Sequence, residues 1–267
     1  MAADRTADAP GAVATYDLAA ETYASALAVN AAAARRLVAS LPTGPADTVL
    51  DLGCGTGFAS LAAIDLLSPR EVVGVDASRE MLDRYGDATR SSAARVRAIE
   101  APVTAVPLPD AQADVAVATM VLQWVDDRPS AVREAARLLA PGGRLGLVVP
   151  AVGADREFHE VVRALDPPAP EQWRAVESAR TIEPDALLGM LGDSGLEARD
   201  WWIEERRRVV TPERLVERMR LVGDHVFPEP PDDPDVWARI RDALVAAAER
   251  DGFAYTFRKL FVLATRA

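Results

Sequence analysis

The stretch Val49-Leu50-Asp51-Leu52-Gly53-Cys54-Gly55-Thr56-Gly57-Phe58 constrains this chain more than any other. An apolar run ends in Gly-x-Gly-x-Gly and leads into a helical pattern, so it reads as strand, glycine turn and helix. Glycine reaches positive φ without steric cost and lets a ligand approach the backbone. The helix N-terminus beyond the turn supplies free N–H groups. Dinucleotide-binding proteins use such a turn too, and two residues separate the options. The dinucleotide pattern places its third glycine five residues after the first, at position 58, where this chain has Phe58. Asp51 stands at the strand end, two residues before Gly53. A carboxylate there repels a pyrophosphate and suits an ammonium, directly or through water. The turn therefore fits a nucleoside that carries an amino acid better than a diphosphate.

A second strand, Val72-Val73-Gly74-Val75-Asp76, ends in an acid 19 residues after Gly57. An acid at that strand tip can accept both ribose hydroxyls. Its other reading is as N-cap of the helix from Arg79, for which Ser78 is the better candidate. Around these segments, short apolar runs alternate with amphipathic ones. Strands are expected at 48–52, 71–75, 96–99, 113–119 and 144–149, with helices at 58–67, from 79, and at 130–139, the last stopped by Pro141-Gly142-Gly143. That alternation predicts an α/β fold with a doubly wound, Rossmann-like sheet. After Pro150 the rhythm changes to helices at 155–165, 171–179, 184–191 and 236–250, with strands at 196–210 and 256–265 and the segment 212–222 followed by a Pro-rich loop at 228–234 between them.

The expected organisation is a single domain over 1–267, its sheet mostly parallel with an antiparallel last strand. N-terminal helices occupy 1–45, with helical spacing at Tyr16–Tyr23 and Leu27–Leu41. A cofactor-binding core spans 46–150, cover helices are inserted at 151–182 and 211–235, and the remainder completes the sheet. A formal net charge of −11 argues against nucleic acid, which needs clustered Lys and Arg. Arg206, Arg207 and Arg208 follow Glu204 and Glu205 and read as a solvated strand end. No apolar run is long enough for a membrane span, and the start lacks the pattern of a secretory signal. The expected location is cytoplasmic. Cys54, the one cysteine, lies between two glycines and reads as structural. No metal site is expected.

The motifs Asp51-Leu52-Gly53-Cys54-Gly55-Thr56-Gly57 and Val73-Gly74-Val75-Asp76 resemble the first two motifs of class I S-adenosylmethionine-dependent methyltransferases. Leu138-Leu139-Ala140-Pro141-Gly142-Gly143-Arg144-Leu145 resembles the segment after their fourth strand. Leu122-Gln123-Trp124-Val125-Asp126-Asp127 is similar to the malonyl-carrier-protein and trans-aconitate methyltransferase group, as is Tyr16-Asp17-Leu18-Ala19-Ala20-Glu21-Thr22-Tyr23. The resemblance covers roughly residues 15 to 150 and implies S-adenosylmethionine as cofactor. It implies that Gly53, Gly55 and Gly57 wrap the methionine part with Asp51 near its ammonium. It further implies that Asp76 holds the ribose, that Ala77 and Met81 flank the adenine, that Thr119 meets the methionine end, and that Tyr23 closes over the cofactor. Gln123 and Trp124 would stand near the transferred methyl. One departure is evident. Five residues before Pro107, where the family usually has an acid for the adenine amine, this chain has Pro102. Glu100 is two residues earlier, so the backbone of Val103 and packing are expected to hold the adenine.

Methyl transfer from a sulfonium needs alignment and exclusion of water. It needs a general base only for a poorly nucleophilic acceptor. The candidate bases are the two histidines, His159 in the cover and His225 before the Pro-rich loop. Trp173, Trp201, Trp202, Phe227 and Trp237 are candidate pocket aromatics. Arg156, Arg163 and Arg258 are candidates for binding a substrate carboxylate. The expected activity is methylation of a small molecule, in specialised-metabolite biosynthesis, by a monomer or homodimer. The alternatives are a carboxyl O-methyltransferase acting on a free or carrier-bound acid, and a cofactor-binding protein that transfers no methyl.

Overall fold

The computed structural model describes residues 28–42, 44, 46–166, 168, 180–221 and 234–267. The segments 16–23 and 171–179, with Tyr23, Trp173, His225 and Phe227, lie outside the described residues. The elements run α1 (Ala28–Ser40), β1 (Thr48–Leu52), α2 (Phe58–Leu67), β2 (Glu71–Asp76), α3 (Arg79–Thr89), β3 (Arg95–Glu100) and β4 (Ala113–Thr119). They continue with a short 3-10 turn at Leu122–Trp124, α4 (Arg128–Leu138), β5 (Leu139–Pro150), α5 (Arg156–Arg163), α6 (Pro184–Asp193), β6 (Leu196–Val210), α7 (Pro212–Leu221), α8 (Pro234–Ala247) and β7 (Phe253–Arg266).

Seven strands form one sheet in the order β3-β2-β1-β4-β5-β7-β6. The first five are parallel and the last two antiparallel, the Rossmann-like arrangement expected. Between β1 and β4 the chain reverses its direction of travel across the sheet. Parallel α/β sheets bind ligands outside the carboxyl ends of their strands at such a point. Strands β1 and β4 are nearly continuous apolar runs because both faces are covered. The Pro141-Gly142-Gly143 segment differs from expectation. It does not separate helix from strand but lies within β5, where Ala113 pairs with Leu139 and Val115 already with Arg144. Gly142, at φ 74°, makes that bulge possible.

The chain divides into two compact units. The first takes residues 1–148, 188–201 and 262–267, and the second 149–187 and 202–261. In the first, α1 buries Ala33, Ala34, Leu37 and Val38. Leu37 reaches the sheet because Gly146 has no side chain, since a Cβ there would stand 3.1 Å from Leu37 Cγ. Helix α2 buries only small residues, Ala59, Ser60, Ala62 and Ala63, so it lies close to the strands. The second unit has its own apolar core, built from Phe158, Val162, Leu215, Met219, Trp237, Ile240 and their neighbours. That separate core is why the inserted segments form a unit of their own. Glu157 ties its helix to β7 by accepting from Thr256 N at 2.8 Å and Thr256 Oγ at 2.5 Å.

Candidate cofactor site

Strand register brings the sequence-predicted residues of the first unit together. Asp51 pairs with Gly74 on one side and Val117 on the other, so the ends of β1, β2 and β4 lie side by side. Gly53, Gly55 and Gly57 have φ of 67°, 50° and 96°, the left-handed region that favours glycine. A Cβ on Gly53 would lie 2.3 Å from Val121 Cγ2. The turn is fixed from two directions. Cys54 N donates to Val75 O at 2.9 Å and Gly57 N to Cys54 O at 2.8 Å. Gly55 N donates to Asp76 Oδ2 at 2.8 Å, while Asp76 Oδ1 accepts from Ser78 N at 3.0 Å. Asp76 thus shapes the turn besides standing at the strand tip expected for a ribose partner. Ser78, not Asp76, caps α3, accepting from Met81 N at 3.2 Å.

Asp51 is fully buried, and its Oδ2 accepts from Ser60 N at 2.9 Å and Ser60 Oγ at 2.7 Å. Its Oδ1 is buried and has no hydrogen-bond partner among the described residues. Burial pushes the carboxyl up to about 6, against the Ser60 hydrogen bonds that pull it down. A buried acceptor without a partner is costly unless a donor arrives. The ammonium of a bound amino acid meets that need, and the left-handed glycines leave backbone open beside it. The residues present therefore fit S-adenosylmethionine.

Met81 is buried and Ala77 half-buried. Val103 is buried, whereas Pro102 is exposed and its carbonyl accepts from Ala105 N at 3.1 Å. Val103 lines a small apolar cavity with Leu52, Val121 and Leu122. The Val106–Asp110 turn that follows is clamped by Arg137, which donates to Leu108 O at 2.8 Å and Val106 O at 3.1 Å and pairs with Asp110 and Glu134. Thr119 ends β4 half-buried, followed by Met120 in the left-handed region at φ 57°. Gln123 is buried in the 3-10 turn at 1% exposure. Several residues with a bearing on this site carry no sequence motif. Ser60 and Tyr85 organise Asp51, Val121 packs beneath Gly53, and Met120 strains the strand end. Only the periodicity of α2 and α3, which turns Ser60 and Tyr85 inward, hints at the first two.

The other candidates lie in the second unit. His159 is buried, with its ring edge-on to Phe158 at 5.7 Å. Trp237 belongs to the apolar core. Trp202 stacks on Phe261 at 4.9 Å and 8°. Arg258 pairs with Glu205 at 3.1 Å, and Arg156 with Glu157 at 3.3 Å. These two arginines are already engaged with carboxylates. In the first unit, Trp201 is 44% exposed. Among the described residues no group of three His, Cys, Asp or Glu is placed to hold a metal ion. No helix among them is long and apolar enough to cross a membrane.

Sheet order, switch point and glycine turn together define a class I S-adenosylmethionine-binding protein. A methyltransferase domain model matches residues 50–147. The chain is 35% identical to a trans-aconitate 2-methyltransferase of Azoarcus over 57% of this chain and 56% of that protein. It is 28% identical to one from Methylobacterium radiotolerans over 88% of this chain and 92% of that protein. It is 32% identical to a malonyl-[acyl-carrier protein] O-methyltransferase of Enterobacter lignolyticus over 71% of this chain and 72% of that protein. Among solved structures, a protein from Bacillus halodurans aligns with TM-score 0.59 at 18% identity, over 88% of this chain and 97% of that one. A geranyl diphosphate methyltransferase in complex with S-adenosylmethionine aligns with TM-score 0.55 at 19% identity, over 89% and 85%. The chain belongs to the S-adenosylmethionine-dependent methyltransferases, in the group of the trans-aconitate and malonyl-carrier-protein enzymes.

Proposed function

We propose that the chain methylates a carboxylate of a small organic acid, free or carried by a partner protein, using S-adenosylmethionine and working as a monomer or homodimer. The observation that carries this reading is kinship with two groups whose named acceptors, trans-aconitate and a malonyl thioester, are both acids. Bound in the site, the cofactor supplies an activated methyl group. The protein then has to align the acceptor and keep water away. A carboxylate is already deprotonated at neutral pH and needs no base, which suits a chain whose His159 is packed against Phe158.

In this reading Asp51 holds the ammonium, Asp76 the ribose, and Gly53, Gly55 and Gly57 the methionine backbone. Ala77, Met81 and Val103 flank the adenine, Thr119 offers its carbonyl, and Gln123 orients the acceptor. The narrower expectation of a specialised metabolite has no counterpart in the acceptors named for these relatives. The carboxylate reading therefore stands ahead of it. Incubation with S-adenosylmethionine and a panel of di- and tricarboxylic acids should release S-adenosylhomocysteine and yield a methyl ester that mild base hydrolyses. A methyl group stable to base, on carbon or nitrogen, overturns the reading. Gln123→Ala should lower kcat at least tenfold with cofactor affinity nearly unchanged. The reverse removes Gln123 from the acceptor site.

A further inference from the structure

Asp51 is oriented by two residues outside the glycine turn. Ser60, in the first turn of α2, directs both its backbone N–H and its hydroxyl at one oxygen, Oδ2, at 2.9 and 2.7 Å. Tyr85 of α3 donates its hydroxyl to Ser60 Oγ at 3.1 Å. A serine hydroxyl has one proton, and here it goes to Asp51, so the chain of donors runs one way, from Tyr85 through Ser60 to Asp51. All three side chains are buried. Tyr85 reaches this place because two glycines make room. A Cβ on Gly74 would lie 2.6 Å from Tyr85 Cζ, and one on Gly57 would lie 3.1 Å from Cδ2. Gly74 stands in mid-strand, where glycine weakens a sheet, and such a glycine often marks a close approach. With two donors on Oδ2, the plane of the carboxyl is fixed and Oδ1 is the oxygen without a partner.

We infer that Ser60 and Tyr85 are positioning residues for the methionine end of the cofactor, fixing Asp51 through Oδ2 and keeping Oδ1 for the ligand's ammonium. The inference rests on the reading of Asp51 as ammonium partner. It differs from a purely structural network in tying the two hydroxyls to one part of one ligand. It also ties them to pH. The titratable groups facing Asp51 are Tyr85 from α3, Asp76 from β2 and Cys54 from the turn. Burial holds the Asp51 carboxyl up to about 6, the Ser60 bonds lower it, and the Asp76 charge raises it further. An ammonium binds the carboxylate form. Affinity for the cofactor should therefore fall as pH drops below that value, and loss of the Ser60 hydroxyl should move the fall to higher pH.

The test is calorimetric titration of the full chain from pH 5 to 8 with two ligands, S-adenosylmethionine and 5′-methylthioadenosine, which lacks the amino-acid portion. Ser60→Ala should weaken S-adenosylmethionine about tenfold at pH 7, the size of one hydrogen bond to a charged group. It should leave 5′-methylthioadenosine unchanged and raise the pH of the inflection. Tyr85→Phe, which keeps the ring between the two glycines, should act in the same direction by a few-fold, and it decides the matter if Ser60→Ala fails to fold. Equal weakening of both ligands, or an unmoved ratio and inflection while Asp51→Asn lowers the ratio, overturns the inference. If Asp51→Asn leaves the ratio unmoved, the ammonium reading itself fails and the inference with it.

Discussion

The two units of this chain are organised on different terms. The first is shaped by where side chains are missing and where polar groups are buried. Gly53, Gly57 and Gly74 give up space to Val121 and Tyr85, and the polar Asp51, Ser60, Ser78 and Gln123 are buried. The second is shaped by volume, with Phe158, Trp237, Ile240, Phe253 and Tyr255 filling one apolar core. Buried polar groups must be hydrogen-bonded or they cost stability, so a unit built on them has geometry fixed at particular atoms. An apolar core tolerates exchange of shape if volume is kept. The first unit can therefore hold one defined ligand, and the second leaves its sequence room to vary.

The largest effect that sharpens this contrast is expected at Trp237. Removing a large buried aromatic leaves a cavity, and Trp237→Ala should cost about 3–5 kcal/mol of folding stability. Denaturant unfolding should show that loss, while calorimetry at low temperature finds S-adenosylmethionine affinity unchanged in the folded fraction. A parallel loss of cofactor affinity breaks the contrast. Gly53→Ala should do the opposite. It forces a Cβ to within 2.3 Å of Val121 Cγ2 at a φ of 67°, and strain plus overpacking of about 1–3 kcal/mol each must be relieved by moving the turn. Cofactor affinity should fall about 100-fold with a smaller change in stability. Adding Val121→Ala relieves the contact but not the positive φ, so recovery should be partial. Full recovery would mean that crowding, not backbone conformation, makes Gly53 necessary.

The first unit was largely legible because its constraints are local. A strand, a turn needing positive φ and a helix occupy ten consecutive residues, and β1 and α2 fall where the pattern places them. What sequence could not show are contacts made across elements. Ser60 and Tyr85 are 25 residues apart and meet only because parallel strands set α2 beside α3. The Pro141-Gly142-Gly143 segment reads as a stop, yet pairing with β4 carries the strand through it as a bulge. Arg258 is one arginine among many in sequence, and only the fold gives it Glu205. In the second unit, volume packing has no motif. Trp237 was a candidate for a pocket and is core, since an aromatic at helical spacing reads the same in either place.

The smallest expected effect separates the two units by the sign of their response to acid. Asp51 has a carboxyl raised from 3.8 to about 6 by burial. A raised acid binds more protons folded than unfolded, so its contribution weakens as pH rises through that window. Glu157 is the reverse case. Desolvation works against its charged form, but the Thr256 hydrogen bonds and Arg156 outweigh it, and the carboxyl is held below its ordinary 4.5. A depressed acid stabilises above its unfolded value, and that contribution is lost as pH falls through the folded one. Glu157→Gln keeps the size but replaces one acceptor with a donor facing Thr256. It should cost about 1 kcal/mol at pH 7, and the difference from the parent should shrink below pH about 4.5. Thermal melts of both proteins from pH 3 to 7 measure this. A difference that stays constant with pH would mean that Glu157 ties its helix to β7 by shape alone.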